Sequence, residues 1–123
     1  MRTPRQQFGT ASEALAASHL RQLGYRILET NYRTRQGEVD IIAEDAEVLV
    51  FVEVKARGSF RFGSPKAAVT PTKQRKIALA GLFYMKASGK MGSRIRFDVV
   101  AIDTTSGKPE IEVVKNAFQP VFG

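Results

Sequence analysis

Apolar positions recur along this chain in two rhythms, and the changes between them mark its elements. Met1 to Gln7 is polar and basic, and its start is expected to fray. Ala16, Leu20 and Leu23 then fall at helical spacing, with Leu15 beside them, and Gly24 closes the segment. Two starts compete for this helix. Thr10 with Glu13 three residues later fits a capping box, whereas Thr3-Pro4 with Gln6 offers an earlier beginning. From Tyr25 to Tyr32 the period changes to two, with Tyr25, Ile27 and Glu29 alternating against Arg26 and Leu28, which predicts a strand. Residues 33–37 form a turn, where Gly37 suits a positive φ or a backbone closely approached by a ligand. Two β-branched runs follow, Val39–Ala43 and Val48–Val54, separated by Glu44-Asp45-Ala46-Glu47; this is a hairpin pattern.

Beyond the hairpin, residues 56–65 mix glycines, arginines and two phenylalanines without periodicity, as a loop does. Thr70-Pro71 is an N-cap followed by proline, and the helix it opens runs to Lys86 or Ser88 before Gly89. From Ile77 to Met85 that helix is apolar on nearly all sides. One side is expected on the sheet, the other under a second subunit of a homodimer or under the C-terminal tail. Arg94 to Asp103 reads as a strand, with Ile95, Phe97, Val99 and Ala101 on one face and Arg96, Asp98, Val100 and Ile102 on the other. A strand–helix–strand connection of this length favours parallel pairing with Val48–Lys55. Ile111–Val114 predicts a short edge strand, and the tail 117–123 carries Phe118, Val121 and Phe122 to dock on the body. The pattern describes one α/β domain spanning 1–123.

Charge interrupts this pattern at Asp40, Glu53 and Lys55, inside strands that otherwise read as buried. Glu53 and Lys55 must share a face. With the turn centred between Asp45 and Ala46, Glu38 lies opposite Glu53, and Asp40 lies opposite Phe51 and diagonal to Glu53. All four charged residues then project from one face. The other (Val39, Ile41, Val48, Val50, Val52, Val54) is apolar and needs a helix over it. Two carboxylates 4–5 Å apart repel by roughly 4 kcal/mol at an effective dielectric of 20, and one lysine offsets only part of that. A hard divalent cation, Mg2+ or Mn2+, would resolve the excess. The plainer alternative is a structural ion-pair cluster. Buried unpaired charge is costly enough to favour function. Glu13 is either a cap or, if its helix begins earlier, a free carboxylate near this pocket. His19 has no partner at metal-site spacing and reads as a surface residue.

Composition narrows the classes. The 123 residues contain no cysteine, which excludes disulfides and thiolate chemistry, and no stretch approaches a membrane span or a signal peptide. A cytoplasmic protein without a membrane partner is expected. The net charge is +7, and no acid occurs between Glu53 and Asp98, where eleven basic residues fall. Such a tract attracts polyanions, nucleic acid first. Arg57, Arg61 and Lys66 in the loop, with Phe60 and Phe62 for bases, and Lys73, Gln74 and Lys76 in the opening turns of the second long helix are the candidate contacts.

Three blocks in order, Gly37-Glu38-Val39-Asp40, then Phe51-Val52-Glu53-Val54-Lys55 with Arg57, then Arg96-Phe97-Asp98-Val99-Val100, resemble the restriction-endonuclease-like superfamily with its PD-(D/E)XK signature. The likeness is closest to its YraN-like family of small bacterial proteins, and more distant to archaeal Holliday junction resolvases. The signature proline is replaced by Val39. The resemblance implies a three-layer core: a central mixed sheet, three antiparallel strands with the fourth parallel to the third, between helices. It implies that Asp40, Glu53 and the Val54 carbonyl hold Mg2+, that Lys55 orients the attacking water, and that Glu13 matches an acid the resolvases carry on their first helix. The activity it implies is hydrolysis of DNA, with branched DNA one candidate substrate. A non-catalytic nucleic-acid-binding module that keeps the nuclease fold is the alternative. A purely structural RNA- or protein-associated factor ranks last.

Overall fold

A computed structural model describes residues 4–57 and 68–120, with side chains over 11–56 and 68–120. The elements follow the order α1 (Pro4–Gln22), β1 (Arg26–Arg33), β2 (Glu38–Asp45), β3 (Val48–Arg57), α2 (Pro71–Ser88), β4 (Ile95–Asp103) and β5 (Glu110–Val114). The five strands form one sheet in the order β1-β2-β3-β4-β5. β1 to β3 are antiparallel, β4 runs parallel to β3 as expected of a crossover through α2, and β5 closes the edge antiparallel to β4. The fold is α/β with a mixed sheet.

Each face of the sheet carries a helix because the strands are apolar on both sides. Ala16, Ala17 and Leu20 of α1 pack with Ile41, Val50, Val52, Val100 and Ile102. On the other face, Ile77, Ala80, Tyr84 and Met85 of α2 pack with Ile42, Leu49, Phe51, Phe97 and Val99. α2 begins where its sequence says: Lys73 N–H donates to the Thr70 hydroxyl, and Gly89 ends the helix at φ +70°. The tail docks through Phe118, which stacks on Phe97 with ring centroids 5.3 Å apart, and through Ala117, whose N–H donates to the Phe97 carbonyl. Val121 and Phe122 lie outside the described residues.

Several expectations are corrected. α1 starts at Pro4, not Thr10, so Glu13 lies well inside the helix and caps nothing. Leu15 and Leu23, read as part of its apolar stripe, are exposed, because Ala16, Ala17 and Leu20 already meet the sheet. The hairpin turn centres one residue later, on Ala46-Glu47, with Ala46 at φ 56°. Every β2–β3 partner therefore shifts by two, which keeps the faces but changes the neighbours. Val39 joins the cluster under α2 rather than the Ile41 face. A bulge interrupts the β1 ladder between Ile27 and Glu29, which leaves Glu29 exposed. On the outer side of α2, Phe83 stands 53% exposed.

Candidate functional site

β2 and β3 pair from Asp45↔Val48 to Ile41↔Val52, and their regular pairing stops there although both strands continue. Continuing the register by one step sets Asp40 across from Glu53 rather than diagonal to it. The Asp40 carboxylate fills the opening: its Oδ2 accepts the Val54 backbone N–H at 2.8 Å. A side chain thus takes a donor that the ladder no longer satisfies. Asp40 is 8% exposed and Glu53 3%.

Two buried carboxyl groups this close cannot both ionise freely. Burial first, then a hydrogen bond to Asp40 and repulsion from it, push the Glu53 carboxyl up to about 9, while Lys73 and Lys55 pull the other way. At neutral pH the buried pair keeps a proton that exposed carboxyls would release. Glu53 Oε2 is buried and has no hydrogen-bond partner. The Lys73 ammonium stands 3.6 Å from this oxygen, beyond hydrogen-bond reach but close enough to favour the charged carboxylate. Lys55 is half-buried on β3, two residues from Glu53.

Glu13 approaches from α1. Burial and then the Asp40 charge raise its pKa, Asn31 opposes the rise with a hydrogen bond, and Glu38 and Arg33 add smaller opposing effects. Asn31 sits in β1 at φ 53°, a conformation asparagine tolerates. The earlier start of α1 leaves Glu13 inside the helix, free of a capping role. Among the described residues no three histidine, aspartate or glutamate side chains stand close enough to enclose a metal ion. The oxygen donors at the centre are Asp40, Glu53 with its unpartnered Oε2, and the adjoining Val54 carbonyl. That set fits Mg2+, which is usually held by one or two carboxylates and keeps several waters.

Beside the acid pair lies a groove of about 380 Å³, lined by the β1–β2 turn (residues 33–38) and by Lys73 and Lys76 of α2. Gly37 explains its shape. A Cβ there would lie 2.5 Å from the Lys76 carbonyl oxygen, so the close approach read in this glycine is that of α2, not of a ligand, and its φ is not positive. Glu38 pairs with Arg33 at 3.3 Å on the rim. Of the candidate nucleic-acid contacts, Lys73 and Lys76 line the groove. The Gln74 amide donates to the Val69 carbonyl at 3.0 Å and so serves the helix start. The side chain of Arg57, with Arg61, Lys66, Phe60 and Phe62, falls outside the described residues. Arg33 and Arg35 escaped the sequence reading; their signal was a basic pair flanking a turn that leads directly into Gly37-Glu38-Val39-Asp40.

Arg96 and Asp98 serve a different cluster on the α1 side of the sheet. Asp98, fully buried, accepts from Tyr25 Oη (2.9 Å), from Arg96 Nε (2.8 Å) and Nη2 (2.9 Å), and from the Asn116 N–H (2.9 Å). Arg96 also donates to Asp45 at 2.8 Å, and Lys115 reaches Asp45 at 3.3 Å. Every oxygen of Asp98 is partnered, so this network is structural.

The chain matches the uncharacterised protein family UPF0102 over residues 12–102. It is 46% identical to a UPF0102 protein of Desulforapulum autotrophicum over 119 residues, which covers 97% of this chain and 98% of the relative. It is 48% identical to a UPF0102 protein of Geobacter sulfurreducens over 115 residues (93% and 90% covered). A UPF0102 protein of Rhodococcus jostii is 49% identical over 111 residues (89% and 94% covered).

Proposed function

The chain belongs to the UPF0102 family, and from that premise we propose that it is a Mg2+-dependent endonuclease of the restriction-endonuclease-like superfamily that hydrolyses DNA phosphodiester bonds, branched DNA among them. The observation that carries this reading is the buried Asp40–Glu53 pair with one carboxylate oxygen left without a partner. Burying two acids is unfavourable unless something pairs with them. Here the acids sit where two strands separate, beside a groove rich in cations.

Asp40, Glu53 and the Val54 carbonyl would hold the ion. Bound there, Mg2+ supplies Lewis-acid polarisation of the scissile phosphate and stabilisation of the leaving oxygen. The chain's own residues do the rest. Asp40, fixed by the Val54 N–H, sets the position of the pair. Lys55 holds the attacking water and offsets the charge that grows on phosphorus-bound oxygens. The water oxygen forms a bond to phosphorus, the phosphorus–oxygen bond of the leaving strand breaks, and the water proton leaves to solvent as the alkoxide is protonated. Glu13, outside the ligand set, would position a second cation through its waters.

Cleavage of linear and branched DNA in Mg2+ or Mn2+ tests the proposal. Asp40→Asn and Lys55→Ala should each abolish cutting while DNA binding persists. Cutting that survives either change removes the assigned roles. One observation favours a second reading, a nucleic-acid-binding module without catalysis: the Lys73 ammonium already stands 3.6 Å from Glu53 and lessens the need for a metal. Binding indifferent to chelator, with no cleavage of any DNA, would select it.

A further inference from the structure

The groove between the β1–β2 turn and α2 has a composition that the acid pair does not explain. Arg33, Arg35, Lys73 and Lys76 meet there against one acid, Glu38, which Arg33 pairs. Arg35 and Lys76 are exposed and pair with no acid among the described residues. The turn that presents Arg35 is fixed by its own bonds. The Thr34 hydroxyl donates to the Gly37 carbonyl at 3.0 Å and accepts the Gln36 and Gly37 N–H groups at 3.2 Å each. The missing Cβ of Gly37 lets this turn rest on the Lys76 backbone, which holds the two cationic walls at a set separation. At about 380 Å³ the space falls within the ~300–1,000 Å³ range of small-ligand sites. Lys73 belongs both to the groove and to the Glu53 ion pair, so the groove adjoins the proposed scissile position.

We propose that this groove is a phosphate subsite, in which Arg35 and Lys76 seat a backbone phosphate of a nucleic-acid strand next to the one that is cut. The choice of a strand, rather than a free phosphate, rests on the nuclease reading. An arginine offers a planar fork of donors and a lysine a point charge, a pairing suited to the non-bridging oxygens of a phosphodiester. Glu38 on the rim repels a ligand carboxylate or a second, doubly charged phosphate, which favours the singly charged diester.

The test uses the full chain with a chelator present, so that nothing is cut, and a thymidine tetranucleotide as probe. Amide shifts on titration should concentrate in residues 34–37 and 73–76. The Arg35→Ala/Lys76→Ala double variant, altered only at exposed positions, should bind about tenfold more weakly at moderate salt. Its log–log salt slope should be shallower by about 0.7, the value for one single-strand phosphate contact. Inorganic pyrophosphate is the comparison probe. Unchanged affinity and slope in the double variant, or shifts mapping elsewhere, overturn the subsite. So does pyrophosphate binding the groove when the tetranucleotide does not. The two proposals fail separately: wild-type protein that binds the tetranucleotide through these residues but cuts no DNA keeps the subsite and loses the nuclease, and the reverse result does the opposite.

Discussion

Glu53 ties a proton to the folded state. Burial beside Asp40 pushes its carboxyl up to about 9 from an ordinary 4.5. A raised folded pKa means the folded chain holds the proton more tightly than the unfolded one. The associated stability is complete below the ordinary value and is lost as pH climbs through about 9. Without metal, the protein should therefore lose stability steadily between about pH 5 and pH 9, by a few kcal/mol at most. Glu53→Gln, a neutral group of the same shape, should flatten that slope in chelator-treated melts, and an unchanged slope would place the titration elsewhere. Asp98 tests the opposite kind of buried acid. Its four donors are all satisfied, so Asp98→Ala leaves the Tyr25 hydroxyl and the Asn116 N–H without this acceptor and Arg96 with Asp45 as its remaining acid; it should cost about 1–3 kcal/mol in denaturant unfolding. Asp40 and Glu53 were legible in the sequence because a carboxylate inside a β-branched run has no cheap structural excuse. Asp98 breaks its strand in the same way, yet nothing in the sequence separates a satisfied acid from a needy one. That difference lies in Tyr25 and Asn116, distant in the chain.

The elements themselves were readable wherever a residue has a single local use. Thr70-Pro71 and Gly89 bound α2 as written, and the length of the crossover fixed β4 parallel to β3. The hairpin register was not readable, because the turn relies on Ala46 at φ 56°, a residue that gives no turn signal. α1 offered two N-terminal starts, and the earlier one leaves Glu13 inside the helix beside Asp40 rather than as a cap. The groove was invisible for a related reason: its walls, residues 33–38 and Lys76, are joined only by the docking of α2 on the β1–β2 turn. Gly37 is that joint. Gly37→Ala pushes a Cβ against backbone, the Lys76 carbonyl oxygen, and not against a side chain that could swing away. It should cost about 1–3 kcal/mol. Denaturant midpoints would read the cost, and an amide spectrum should show the displacement confined to residues 33–38 and the first turns of α2. A neutral Gly37→Ala would mean that the two elements separate freely.

For the whole molecule, the decisive feature is an acidic centre within a chain of net charge +7, whose residues from Val54 to Phe97 contain no acid. On the proposed function the basic tract would draw in a polyanion at low salt, and the acid pair would set what can happen once it arrives. A cation that binds Asp40 and Glu53 must displace the shared proton, so its affinity should rise as pH rises toward about 9. Metal-free stability runs the other way over the same window. Melts with and without Mg2+ should therefore diverge as pH increases, and a concentration about 100 times the dissociation constant adds ~2.7 kcal/mol, on the order of 10 °C for a chain of this size. Glu53→Gln should remove the gap while salt-sensitive DNA binding persists. If Mg2+ moves the wild-type melt at no pH, the chain's own ammonium groups, Lys73 and Lys55, are counter-ion enough for these acids. The basic surface would then bind nucleic acid without cutting it.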